Sequence, residues 1–151
     1  MNDEENLKKA KFRLLGLLQR RPYTEYQLRT KLSASGFSQS VADEAMRYVS
    51  ELGLTDDLEY CRNYIAYSSS RKSRKRMIAD LCQKGVPKDV IAEAMDSVIN
   101  DGDMADEDEL IRKLMQKRHY DASSATFEEK QKMKAYLYGK GFDPDAIGRC
   151  L

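Results

Sequence analysis

Residues 28–46 read LRTKLSASGFSQSVADEAM, with Leu28 and Leu32 eight and four residues before Gly36 and with Phe37, Val41, Ala45 and Met46 one, five, nine and ten residues after it. Those spacings place apolar side chains on one face of a helix before the glycine and on one face of another after it. Glycine at the junction is the usual residue for ending a helix in a left-handed conformation. The pattern returns at residues 77–95, MIADLCQKGVPKDVIAEAM, as Met77, Leu81, Gly85, Val86, Val90, Ala94 and Met95. It returns again at residues 133–151, MKAYLYGKGFDPDAIGRCL, as Met133, Leu137, Gly141, Phe142, Ala146, Cys150 and Leu151. Three copies of one helix–glycine–helix unit make an internal repeat.

Working outward, Gly53 and Gly102 stand 17 residues past the first two anchors, each closing one helix before the next begins. The unit therefore has three helices, and its anchors lie 49 and 56 residues apart. Thr24 with Gln27 forms a capping box at the start of the middle helix of the first unit, and Ser73 stands at the same offset in the second. Asp143 with Pro144 reads as the N-cap and first position of the last helix. The seven additional residues of the third unit fall around Asp121 to Thr126, a Ser/Ala/Thr stretch that reads as a longer loop. No period-two alternation supports strands. The expected architecture is all-α: three tandem three-helix repeats, 1–54, 55–103 and 104–151, forming an elongated, curved array in which each repeat touches its neighbours.

Composition agrees. Of 151 residues, 34% are charged, while Gly (8) and Pro (3) are sparse, which suits exposed helices better than sandwiches or disorder. No apolar run approaches the roughly 18 residues of a membrane span. The N-terminal Asn2, Asp3, Glu4, Glu5 has the wrong charge for a signal peptide, so a cytoplasmic protein is expected. Cys61, Cys82 and Cys150 are odd in number and include no C-x-x-C pair, which argues against a disulfide framework or a zinc site. His119 has no Cys or His nearby and reads as a solvated residue on a basic helix. Neither a metal nor an organic cofactor is expected.

The net charge of +1 hides an uneven distribution. Residues 1–57 carry nine basic and nine acidic groups, and 58–100 carry eight and five. Residues 101–109 hold six acids and no base, whereas 110–151 hold nine basic and five acidic groups. Two basic thirds thus flank an acidic joint, a pattern able to present a positive stripe to a polyanion. The densest run is Arg71, Lys72, Arg74, Lys75 and Arg76, preceded by Ser68, Ser69 and Ser70 and by Tyr60, Tyr64 and Tyr67. With Ser73 as a cap, three of these cations occupy a first helical turn, where the helix dipole disfavours them. A docked anion would account for them, while the bland alternative is a solvated linker. A second set, Arg112, Lys113, Lys117 and Arg118 with His119 and Tyr120, follows the acidic joint, and Lys130, Lys132, Lys134 and Lys140 join it. The acids from Asp101 to Glu109 miss the EF-hand template and read as dipole-complementing residues at a helix start, as do Asp56 and Asp57. Tyr64 and Tyr136 fall at core positions, Tyr67 and Tyr138 at surface ones, and Cys150 reads as a small core residue. Phosphate-binding glycine loops and hydrolase motifs are missing, and no nucleophile has a base partner, so an enzyme is not expected.

These residues also carry a resemblance. The string Leu52-Gly53-Leu54-Thr55-Asp56-Asp57-Leu58-Glu59-Tyr60-Cys61, followed by Asn63-Tyr64-Ile65, resembles the most recognisable motif of the RecX family of bacterial recombination regulators. Pro22-Tyr23-Thr24-Glu25-Tyr26-Gln27-Leu28-Arg29-Thr30-Lys31-Leu32, with Gly36-Phe37, is similar to the family's first-repeat signature. Leu81-x-x-Lys84-Gly85-Val86 and Gly139-Lys140-Gly141-Phe142 resemble its second- and third-repeat turns. In one place the chain departs from the family, since Ser68 to Ser73 fills a loop in which other members commonly carry a glycine. The resemblance implies three three-helix repeats and a non-enzymatic modulator of the RecA recombinase. It further implies binding in the deep groove of the RecA filament on single-stranded DNA, with suppression of ATP hydrolysis, strand exchange and filament growth. Direct DNA contact is implied for some members. On this reading Arg71, Lys72, Arg74, Lys75 and Arg76 are the first contact candidates and Arg112, Lys113, Lys117 and Arg118 the next, in a monomer. The alternative is a stand-alone DNA-binding module using its three-helix units like helix-turn-helix domains, which the near-neutral net charge disfavours. A third is a helical scaffold with no nucleic-acid link.

Overall fold

The computed structural model describes residues 2–151, and among them every regular element is an α-helix. In chain order these are α1 (Asp3–Arg20), α2 (Glu25–Ala34), α3 (Gln39–Glu51), α4 (Asp57–Ser68), α5 (Arg74–Gln83), α6 (Lys88–Asn100), α7 (Glu107–Lys117), α8 (Phe127–Gly139) and α9 (Pro144–Cys150). They fall into three repeats of three. No helix among the described residues is long and apolar enough to cross a membrane.

Local chemistry accounts for the helix starts. Thr24 and Gln27 form the expected capping box on α2, Ser73 Oγ accepts the Arg76 N–H at 3.1 Å on α5, and Asp143 caps α9 with Pro144 following. Asp56 accepts the Glu59 N–H (3.1 Å) at the start of α4, and Asp106 caps α7, whose first turn holds Glu107, Asp108 and Glu109. Of the acidic joint, Asp106 to Glu109 therefore form a helix start with charges aligned with the dipole, whereas Asp101 and Asp103, also expected there, lie in the turn that closes α6. The longer loop of the third repeat runs from the end of α7 to Thr126, the N-cap of α8, and Asp121 folds it by accepting the Ser123 N–H and hydroxyl.

Helix ends follow one pattern. At Gly36, Gly53, Gly85, Gly102 and Gly141 the backbone turns left-handed. In each case the glycine N–H reaches back three residues and the next N–H five, as in Gly36 to Ser33 O (3.0 Å) and Phe37 to Leu32 O (3.2 Å). His119 closes α7 in the same way at φ 57°, with its N–H on Gln116 O and Tyr120 N–H on Met115 O. His119 is thus not on a helix, as its basic neighbours suggested. It fills a glycine position, which histidine tolerates better than most side chains.

The repeat positions form the cores. In the first repeat α3 packs against both α1 and α2, enclosing Leu14, Leu28, Leu32, Val41, Ala45, Met46 and Val49. In the third, α9 packs against α7 and α8 around Ile111, Met133, Leu137, Phe142, Ala146 and Ile147. Met77, Leu81, Val86, Ala94 and Met95 are buried in the second. One core position escaped the periodicity. The residues six after each anchor glycine, Ala42, Ile91 and Ile147, are buried in all three repeats, whereas Val90 is only half-buried. Tyr64 and Tyr136, expected in the core, are half-buried because each phenol oxygen must reach a partner or solvent, and Cys150 is half-buried against the third core.

The chain forms two compact units, one comprising residues up to Cys61 together with Leu81–Ala94, the other comprising Arg62–Asp80 together with Met95–Leu151. Each contains one joint between successive repeats, built by the same means. In the first unit Thr24 Oγ1 accepts the Gln27 N–H and donates to the carbonyl of Lys84 at 2.6 Å, just before Gly85. In the second, Ser73 Oγ accepts the Arg76 N–H and donates to the carbonyl of Lys140 at 2.9 Å, just before Gly141. One hydroxyl so completes the start of one middle helix and the end of the next. A Cβ on Gly85 would collide with Tyr26 Cβ and Cγ, and one on Gly141 would lie 2.7 Å from Ser73 Oγ, so both joints require the bare glycine backbone.

Candidate polyanion interface

The serine-rich segment before α5 is not a solvated linker. Ser68, Ser69 and Ser73 are buried, and Ser69 Oγ accepts the Ala105 N–H at 3.1 Å. With Ser73 bound to Lys140, the segment is tied at two points to the part of the chain that follows the second repeat. These ties hold the basic run against the end of α8.

There a pocket of about 280 Å³ is lined by Arg71, Lys72, Ser73, Arg76, Leu114, Gly139, Lys140 and Phe142. Four of these residues are cations and none is a carboxylate. Arg71 lies over the Tyr67 ring (4.5 Å to its centroid), Lys72 over Tyr64 (5.3 Å) and Lys140 over Tyr136 (5.5 Å). Tyr136 carries a second cation, Arg118, at 3.6 Å. Contacts of this kind orient a cation without neutralising it. Among the described residues no carboxylate lies within ion-pair distance of Arg71 or Lys140.

Asp80, on α5, holds the other two. Its Oδ2 accepts from Lys72 Nζ at 2.9 Å and from the Tyr64 hydroxyl at 2.6 Å, and Lys72 Nζ also donates to the Tyr64 oxygen at 2.8 Å. Arg76 Nε lies 3.3 Å from Asp80 Oδ1. Burial raises the Tyr64 hydroxyl above the ordinary tyrosine range, with the Asp80 hydrogen bond acting in the same direction. The Tyr64 and Asp80 hydrogen bonds hold the Lys72 ammonium above its ordinary value. Burial works to raise the Asp80 carboxyl, but the hydrogen bonds from Tyr64 and Lys72 outweigh it and leave the group below its ordinary value. Both ions are therefore charged and the phenol is protonated near neutrality. This is an ion cluster, and no member is activated as a base or nucleophile.

The basic run is divided by the fold. Arg71, Lys72 and Arg76 face the pocket, whereas Arg74 and Lys75 line a neighbouring groove of about 730 Å³ with Asp106, Glu107, Asp108, Tyr138 and Arg149. In that groove Arg74 meets Glu107 (3.6 Å), Arg149 pairs with Asp108 (3.2 Å), and Lys75 lies over Tyr138 (5.9 Å). Of the second set, Arg112, Lys113, Lys117 and Arg118 are all exposed, and Arg118 alone is drawn towards the pocket through Tyr136. Sequence reasoning assigned no role at the site to Asp80 and counted Lys140 only as part of the basic third. Asp80 could have been suspected from its place four residues after Arg76 on a helix. Lys140 reaches the pocket through a long-range turn that no local pattern encodes.

Comparison with known proteins places this geometry. Residues 10–48 match the model of the first three-helix domain of RecX, residues 56–95 that of the second, and residues 106–151 that of the third. The regulatory protein RecX of Caldanaerobacter subterraneus subsp. tengcongensis is 32% identical over 145 residues, which cover 95% of this chain and 70% of the relative. The corresponding protein of Chlorobaculum tepidum is 30% identical over 147 residues, covering 96% and 88%. The crystal structure of RecX from Lactobacillus salivarius shares the fold, with a TM-score of 0.80 at 20% identity over 97% of this chain and 95% of that one. The class defined is an all-helical regulatory protein of three three-helix repeats. This chain belongs to the RecX family of regulatory proteins.

Proposed function

We propose that this chain regulates the RecA recombinase, acting as a cytoplasmic monomer that binds in the groove of the RecA filament on single-stranded DNA and restrains ATP hydrolysis, strand exchange and filament growth. The repeats, taken as 1–54, 55–103 and 104–151, supply successive weak contacts that add through effective concentration. Arg71, Lys72, Arg74, Lys75 and Arg76 are the leading contact residues, joined by Lys140, with Arg112, Lys113, Lys117 and Arg118 flanking them.

One observation carries the reading. The five positions around Ser73 that hold cations hold Pro22, Tyr23, Glu25, Tyr26 and Gln27 around Thr24, on a joint with the same hydrogen bonds. The hydrogen bonds of the joint therefore form without these charges, which supports a polyanionic partner as the reason for them. The test is the ATPase rate of RecA filaments preassembled on single-stranded DNA and titrated with this protein. A saturable fall at or below equimolar ratio is expected. The combined change Arg71→Glu, Arg76→Glu and Lys140→Glu is expected to weaken the effect about tenfold or more and to flatten its salt dependence. Unchanged hydrolysis with no co-sedimentation would overturn the proposal, and tight sequence-dependent retention on duplex DNA at physiological salt would favour the stand-alone DNA-binding module.

A further inference from the structure

Asp80 stands behind the pocket rather than in it. Its side chain is 18% exposed, against 37% for Lys72 and 65% for Arg76, the two cations it holds. It grips Lys72 through Oδ2 and meets Arg76 through Nε, so most of the Arg76 guanidinium still faces out. Arg71 and Lys140 complete the pocket without carboxylate partners among the described residues. The arrangement is four cations, two of them held back by one internal anion. An incoming oxyanion meets two cations at once and must compete for the other two.

The pocket's rim indicates which oxyanion. Tyr67, beneath Arg71, is 73% exposed, Tyr64 lies under Lys72 and Tyr136 under Lys140. Cations alternating with an open aromatic face suit a chain that offers phosphates and stacking bases together, which an acidic peptide does not. We propose that Asp80 is the resident counter-ion of the Arg71–Lys72–Arg76–Lys140 pocket, from which a phosphodiester group of single-stranded nucleic acid takes over Lys72 and Arg76, so that Asp80 sets the affinity of the site. This rests on the reading that the pocket meets the polyanion of the filament.

The experiment uses the full chain and a labelled oligothymidylate, without recombinase. Asp80→Asn removes the competitor and is expected to tighten binding about three- to tenfold at low salt, an effect that shrinks as salt rises. Asp101→Asn, which makes the same charge change at an exposed site, is expected to stay within about twofold of the parent. Asp80→Asn binding that is unchanged or weaker, or an equal gain from Asp101→Asn, would overturn the inference. A readout needing no variant is the carboxyl carbon resonance of Asp80 in the parent protein, expected to move as oligothymidylate saturates the pocket; a stationary signal at saturation also overturns it. The gain in oligothymidylate affinity with no effect on RecA hydrolysis would remove the recombinase reading and support this one. An effect on hydrolysis with a flat Asp80→Asn response would do the reverse.

Discussion

Thr24 and Ser73 occupy equivalent places in successive repeats and make the same pair of hydrogen bonds, yet their neighbours differ in every respect that bears on a partner. Around Thr24 the chain offers Tyr23, Glu25 and Tyr26, and the Glu25 N–H is taken by the Asp57 carboxylate at 3.0 Å. Around Ser73 it offers five cations, drawn to rings and to carboxylates. The hydroxyl and the glycine are what the fold demands, because they recur. The charges occur once and mark what the fold does not demand.

The glycines break the comparison most sharply. At Gly36 a Cβ meets nothing within 4 Å, so Gly36→Ala carries only the backbone cost of a left-handed residue, about 1–2 kcal/mol. Gly85→Ala adds a collision with Tyr26 Cβ and Cγ, which cannot swing aside as a chain end could, and is expected to cost about 2–4 kcal/mol. Gly141→Ala should fall between, since it meets a hydroxyl. Denaturant unfolding of the three variants gives the order, and equal losses would show that the joints are looser than described.

Next come the hydroxyls. Thr24→Val and Ser73→Ala each lose a cap and a bond to the next repeat, about 1–2 kcal/mol by thermal melting. Thr24→Ser and Ser73→Thr should retain most of the stability. A loss at Ser73 alone would mean that the first joint is held by Tyr26 packing instead.

A smaller effect separates the joints by pH. The folded Asp80 carboxyl lies below its ordinary value, so its contribution is fully present above the ordinary carboxylate range and is lost as pH falls through the folded value. Melting temperature followed from neutral pH into the acid should therefore fall less steeply in Asp80→Asn than in the parent. The smallest expected effect lies at His119, where glycine relieves a left-handed side chain: His119→Gly should raise stability by up to about 1 kcal/mol.

Much of this was legible in the residues. Glycine anchors with apolar positions at helical spacing specified the repeats, and Thr24, Ser73 and Asp143 announced their helices because capping is local chemistry. The sequence also pointed to Arg71–Arg76 as the region to watch. It was silent on how that run divides, because whether Arg74 turns to Glu107 and Arg76 to Asp80 depends on segments brought together by tertiary packing. His119 was misplaced for a related reason: a helix end is recognised by its glycine, and here the position is occupied by another residue.

Three of the four cations of the pocket rest on tyrosine rings, and this gives the protein an optical property. It has nine tyrosines and no tryptophan, and Tyr64, Tyr67 and Tyr136 each lie under a pocket cation. An anion that draws those cations outward changes the surroundings of a third of the emitting groups, with no indole to mask them. Intrinsic tyrosine fluorescence is thus a label-free gauge of whether the pocket is occupied.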